Sequence, residues 1–222
     1  MDISTIVVVG GNGKIARLLT EQTSLKVISI VRDPKQTLEL EPLGAQVRVI
    51  DVENAGLVEL VQAFRGAQAV VFAAGGGAGS GIFRKYTTDL GGSIRAQQAA
   101  LRAGIDRFVQ ISFIGAANST PEGTDPVFAA YWDAKRIADD SLRASGLTYT
   151  IVKPGVLTDE NGTGNLTVSE PGQRTGRSTT ARANVAAFIL AILDDPRTYH
   201  RDLDIADGAT NMLTSLSALV DK

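Results

Sequence analysis

A chain of 222 residues, 44% hydrophobic and 21% charged, is long enough to bury one sizeable core, and a single domain over 1–222 is the expectation. A formal net charge of −2 with no run of like charges excludes the basic footprint of a nucleic-acid binder, and a chain with no cysteine and one histidine, His200, excludes disulfides, cysteine nucleophiles and histidine-rich metal sites. With no apolar stretch of about 18 residues and no leader pattern after Met1, a soluble cytoplasmic protein is expected, its chemistry left to Tyr, Ser, Lys, carboxylates or a cofactor.

In chain order, β-branched runs at Thr5–Val9, Lys26–Val31, Gln46–Val49, Ala69–Ala73, Arg107–Ile111 and Thr148–Val152 read as strands. Segments with apolar residues at helical spacing separate them, among them Ile15-Leu18-Leu19 and Leu57-Leu60-Val61-Phe64. Strands apolar on both faces, alternating with helices, describe a doubly wound, mostly parallel α/β sheet with helices on both faces and a small C-terminal substrate portion. In such a fold the ligand crevice lies at the carboxyl ends of the strands. The irregular segments 75–86, 113–130 and 157–180 are expected to face the substrate, with Gly75–Gly81 and Thr158–Ser178 as flap candidates.

The loop after the first strand reads Gly10-Gly11-Asn12-Gly13-Lys14-Ile15-Ala16. Glycines there allow a tight turn and close approach of backbone to a diphosphate, and the helix N-terminus that follows offers N–H groups to the anion. The second strand ends at Arg32, where a protein choosing NAD usually places a carboxylate for the ribose 2′-hydroxyl. A guanidinium suits a 2′-phosphate, so NADP is expected, with Lys14 and Lys35 converging on the same phosphate and Asp33-Pro34 forming a turn. Asp51-Val52 follows the third strand, either meeting the adenine or capping the next helix. Ala73-Ala74-Gly75 supplies small residues where a cofactor's ribose and diphosphate pass.

Tyr131 and Lys135 stand four residues apart on a helix and therefore on one face. A cation near a phenol lowers its pKa and lets it give a proton to a carbonyl oxygen as hydride arrives at carbon. Lys135 also suits the nicotinamide ribose. Ser112, at the end of the fifth strand, either joins this pair or satisfies a backbone group.

These motifs resemble the short-chain dehydrogenase/reductase superfamily, in particular its atypical, NmrA-like NAD(P)H-binding group with biliverdin-IXβ/flavin reductase-like members. The resemblance is carried by VVVGGNGKIARLL, VRDP at 31–34, DV at 51–52, FAAGGG at 72–77, TDLGGSI at 88–94, AGIDRFVQIS at 103–112, YWDAKRIADDSLRASGLTYTIVKPGVLT at 131–158 and ARANVAAFILAILDDP at 181–196. It implies a Rossmann-like domain, Lys14 and Arg32 on the 2′-phosphate, Lys135 on the nicotinamide ribose, and Pro154-Gly155-Val156 meeting the carboxamide through backbone. It implies Tyr131 as the catalytic tyrosine, whereas Phe113 stands where the family's last hydroxyl residue is expected. The implied activity is NADPH-dependent reduction of a small carbonyl, quinone or flavin-like acceptor by a monomer or homodimer. The alternatives are an NADP-sensing regulator with little turnover and an epimerase or dehydratase, the last disfavoured by the short C-terminal portion. Among the remaining residues, Arg182 faces the pocket or the surface, Phe83, Tyr86 and Phe113 line a substrate face or fill the core, and Asp89 is read as the head of a helix.

Overall fold

The computed structural model describes residues 3–77, 79–173 and 178–221. Six strands arise where apolar, β-branched residues concentrate: β1 (Thr5–Val9), β2 (Lys26–Val31), β3 (Ala45–Val49), β4 (Ala69–Phe72), β5 (Arg107–Ile111) and β6 (Thr148–Pro154). They pair in parallel in the order β3-β2-β1-β4-β5-β6. Four strands follow, β7 (Val156–Thr158), β8 (Asn165–Ser169), β9 (Thr179–Ala181) and β10 (Arg201–Asn211). β10 joins β6 in parallel, β8 closes the edge antiparallel to β10, and β7 pairs with β9 apart from the main sheet.

The helices are α1 (Lys14–Gln22), α2 (Thr37–Leu40), α3 (Leu57–Phe64), α4 (Ile82–Arg84), α5 (Ser93–Ala103), α6 (Pro126–Arg143), α7 (Arg182–Ile192) and α8 (Met212–Val220). Alternate residues of a strand point to opposite faces, and β1 divides accordingly. Ile6 and Val8 enter a core with Leu19 of α1 and Phe188 of α7, while Val7 and Val9 enter a second core with Phe64 of α3 and Ala96 of α5. At the start of β5 the buried Arg107 donates from Nε to the Leu193 carbonyl at 2.8 Å and from Nη2 to that of Ile192 at 3.0 Å. These are carbonyls at the end of α7 that no further helical turn satisfies.

Three features depart from the sequence reading. β10 was hidden because Asp202, Asp204 and Asp207 interrupt its apolar residues; Asp202 is held by Lys153 and Arg143, each at 2.5 Å. β8, with Leu166 and Val168 turned inward, replaces part of the expected flap between Thr158 and Ser178. Residue 78 and residues 174–177 of the expected substrate-facing segments lie outside the described residues. Finally, Asp89 is not the head of a helix: α4 runs through a π-helical stretch, Lys85–Gly92, into α5. Among the described residues no helix is long and apolar enough to cross a membrane.

Candidate active site

Strand order reverses between β1 and β4, so the glycine loop after β1 and the residues after β4 face each other across a crevice. Gly10 has φ +82°, and a Cβ there would lie 2.6 Å from the Ala74 Cα, so the close approach of the two loops requires glycine. The Gly10 and Gly11 N–H groups donate to the Ile30 carbonyl at 3.0 and 3.1 Å, and Gly13 N–H turns back to the Gly10 carbonyl at 2.9 Å. α1 begins at Lys14 with Gly13 as its N-cap; no side chain caps it and its first turn holds no acid. Its first N–H groups therefore have no intrahelical partner and point to an anion.

A cavity of about 220 Å³ over this loop is lined by Gly10, Asn12, Gly13, Arg32, Asp51 and Val52, with Ala74 and Gly75 opposite. A second, of about 720 Å³, begins at Gly13, Lys14 and Ile15, passes Ala73–Gly75, and reaches Tyr131 and Lys135. The pattern of an uncapped helix, glycines without room for a side chain and a continuous crevice fits a dinucleotide. Among the described residues no group of His, Cys, Asp or Glu fits a metal ion.

The expected convergence of three cations does not occur. Arg32 lines the smaller cavity with Gln36, but the Lys14 ammonium lies at 2.5 Å from Asp159 Oδ2, beyond β7. Lys35 is exposed, and its N–H is accepted by Asp33 at 2.9 Å within the expected turn. Asp51 does not cap α3, whose N-cap is Gly56; its carboxylate accepts from Glu53 N–H at 3.0 Å and Asn54 Nδ2 at 2.8 Å.

α6 is capped by Asp125, which accepts from the Val127 and Phe128 N–H groups, and it carries Tyr131 and Lys135 one turn apart. The buried Lys135 ammonium donates to the Ile111 carbonyl at 2.9 Å, sits 3.6 Å from Asp89 Oδ1, and lies 5.9 Å from the centre of the Tyr131 ring. A second buried ammonium, Lys85, lies 5.5 Å from that ring and donates to the Gly77 carbonyl at 2.8 Å. Asp89 Oδ2 accepts from Gly76 N–H at 2.8 Å, so the π-helical stretch pins the glycine segment from two residues. Stretches of this kind are rare and recur at functional sites. The phenol of Tyr131 is pushed up by burial and further by Asp89 and Asp139, opposite to the lowering expected from Lys135, and it is kept protonated.

Ser112 donates from Oγ to Asp139 Oδ2 at 2.7 Å, and Asp139 also accepts from Gln110 Nε2 at 2.6 Å. Burial pushes this carboxyl up against those hydrogen bonds and the Lys153 charge. The hydroxyl proton of Ser112 is thus directed at the buried Asp139 carboxylate. Phe113 meets Tyr131 with ring centres 5.2 Å apart. Pro154, Gly155 and Val156 line a third cavity of about 480 Å³ with Phe113, Tyr131 and Trp132. Their backbone donors are spent, Gly155 N–H on Thr180 at 2.9 Å and Val156 N–H on the Ser178 carbonyl at 2.8 Å, and proline has none. Phe83 and Tyr86 are exposed, whereas Arg182 lines both larger cavities. Lys85 went unnoticed in the sequence, although its spacing of four from Asp89 places both on one helical face.

The strand order and the crevice at its reversal belong to the dinucleotide-binding α/β class. Within it, the chain matches the profile described as NAD(P)H-binding over residues 10–196 and belongs to that family. This agrees with the short-chain dehydrogenase/reductase resemblance of its motifs. YhfK of Bacillus subtilis, named as an uncharacterized sugar epimerase, is 33% identical over 218 residues, covering 96% of this chain and 99% of that one. UPF0659 protein YMR090W of Saccharomyces cerevisiae is 33% identical over 223 residues, covering 96% and 98%. A solved structure from Bacillus halodurans, provisionally named an NAD-dependent epimerase/dehydratase, aligns with a TM-score of 0.87 and 34% identity, over 97% of this chain and all of that one.

Proposed function

We propose that this protein is an NADPH-dependent oxidoreductase that reduces a small carbonyl, quinone or flavin-like acceptor. The observation that carries the reading is the 720 Å³ cavity, whose wall includes both the first residues of α1 and the Tyr131-Lys135 pair. Gly10–Ile15 would hold the diphosphate of a dinucleotide, and Tyr131 and Lys135 would face its nicotinamide end. Arg32 takes the 2′-phosphate, Asp51 and Val52 flank the adenine, and Ala73, Ala74 and Gly75 leave room for ribose and diphosphate. Lys135 holds the nicotinamide ribose, and Pro154–Val156 close the carboxamide side through carbonyl groups and packing, their N–H groups being spent.

The bound reduced nicotinamide supplies hydride. Tyr131, held neutral, gives its proton to the acceptor oxygen, and the Lys135 ammonium, itself held by Asp89, stabilises the phenolate left behind. Ser112 acts through Asp139 to fix the base of α6. The sensing alternative draws support from the same hydroxyl, because the Ser112 proton is given to Asp139. The epimerase alternative shares the fold and the dinucleotide site, and the short C-terminal portion leaves little chain to build an extended sugar-nucleotide site.

Titration of NADPH and NADH against wild type and Arg32→Ala tests the cofactor assignment. NADPH is expected to bind more tightly, and the variant to lose about tenfold for NADPH alone; equal NADPH affinity in the two proteins refutes it. NADPH oxidation with at least one member of a panel of quinones, flavins and aldehydes is expected, and binding without oxidation by any of them favours the sensor.

A further inference from the structure

Arg182 opens α7 and lines the 480 Å³ cavity as well as the 720 Å³ cavity that holds Tyr131. Its Nη1 donates to Asp159 Oδ1 at 2.6 Å, and Asp159 is 60% exposed and shared with Lys14. Among the described residues this is the acceptor Arg182 has. A guanidinium presents five N–H donors in a planar fork, so one bond to an exposed carboxylate leaves most of the fork to a ligand.

The 480 Å³ cavity that Arg182 lines is also lined by the rings of Phe113, Phe128, Tyr131 and Trp132. Phe128 and Tyr131 stack at 5.8 Å with their planes 24° apart, and Phe113 lies 5.1 Å from Trp132 and 5.2 Å from Tyr131. Such rings suit a ligand with an aromatic face. Charge points the same way: the wall of the larger cavity carries Lys14, Lys85, Lys135 and Arg182 against Asp89 and Asp125. A volume of about 480 Å³ falls in the range of small-molecule pockets.

We propose that Arg182 is the anion anchor of the substrate cavity, and that the acceptor is a planar conjugated molecule bearing a carboxylate or sulfonate group. The acidic group pairs with the free side of the Arg182 fork, displacing or sharing Asp159, while the ring system lies along Phe113, Phe128 and Tyr131. This rests on the reading of the cavity as the acceptor's site, but anion preference is read by binding, without turnover.

Trp132 is the sole tryptophan and lines the cavity, so its fluorescence reports occupancy, and the absence of cysteine removes thiol addition to quinones. Naphthoquinone sulfonate and neutral menadione are titrated into wild type, Arg182→Leu, Arg182→Lys and Asp159→Asn. Wild type is expected to bind the sulfonate about tenfold or more tightly than menadione. Arg182→Leu should abolish that advantage and leave menadione within about twofold, with Arg182→Lys between. Asp159→Asn should tighten the sulfonate alone, which decides the matter even if Arg182→Leu does not fold. Equal wild-type affinities, an undiminished advantage in Arg182→Leu, no gain in Asp159→Asn, or loss of NADPH affinity instead of sulfonate affinity would each overturn the proposal. Anion preference without NADPH oxidation would sink the oxidoreductase reading and leave the anchor standing.

Discussion

Asp89 and Lys135 lie 3.6 Å apart, both nearly inaccessible to solvent, and the other Asp89 oxygen holds the Gly76 N–H at 2.8 Å. One carboxylate thus fixes the ammonium beneath the tyrosine and the segment along which the cofactor is proposed to pass. In Asp89→Asn the Lys135 charge loses its counter-ion in a buried place. Breaking such a pair costs about 3 kcal/mol, readable by urea denaturation. An unchanged stability would show that the pair contributes little.

Tyr131 carries a phenol pushed above the ordinary tyrosine value by burial, Asp89 and Asp139. A raised pKa keeps the acid form present through neutral and mildly alkaline pH, so kcat should show no alkaline loss from this group up to about pH 10. Asp89→Asn removes one of the raising charges and should bring tyrosinate absorbance in at lower pH, a change absent when Tyr131→Phe is added. A wild-type decline in kcat starting near pH 8, abolished in Tyr131→Phe, would contradict this.

Glu53 ties the π-helical stretch to the loop after β3. It accepts from Thr88 Oγ1 at 2.6 Å, Thr87 Oγ1 at 2.7 Å and Arg84 Nε at 3.0 Å. Burial alone would raise its pKa, yet the hydrogen bonds from Thr88, Thr87 and Arg84 hold it below the ordinary 4.5. A depressed folded-state pKa means that the stabilisation is complete above that value and is lost as pH falls through the folded value. Glu53→Gln should therefore cost about 1–3 kcal/mol at pH 7, with the gap narrowing below pH 4.5. A gap that does not change with pH would place the effect elsewhere.

Gly10→Ala combines a positive φ with a Cβ against Ala74. The loss should be about 2 kcal/mol or more in stability and tenfold or more in NADPH affinity, measured by thermal melts with and without cofactor. Wild-type affinity in this variant would mean that the loop can relax without consequence for the cofactor.

Five of the six strands and the glycine loop were legible because a strand buried on both faces is a plain apolar run and a tight turn needs glycine; the edge strand β3, AQVRV, was legible from its β-branched valines. β10 was not, since Asp202 is satisfied by Lys153 and Arg143 and Asp207 by the Ala181 N–H and Asn184, partners distant in the chain that no local pattern reveals. That Tyr131 and Lys135 share a helix face was legible from their spacing, and their place in the chain after the glycine loop and the strand ending at Ser112 singled them out. The divergence of Lys14 from Arg32 was not: Asp159 lies 145 residues from Lys14, and only the fold brings them together. The sign of the Tyr131 shift was missed for a related reason, because Lys135 is visible at four residues' distance while the burial of the phenol and the approach of Asp89 are set by the fold.

NADPH oxidation by Tyr131→Phe, measured with an acceptor that wild type reduces, tests the central claim most directly. The variant is expected to bind NADPH within about twofold of wild type and to turn over about a hundredfold more slowly or worse. Turnover equal to wild type would contradict the assignment of the proton donor, and with it the account of the site as a reductase built around Tyr131.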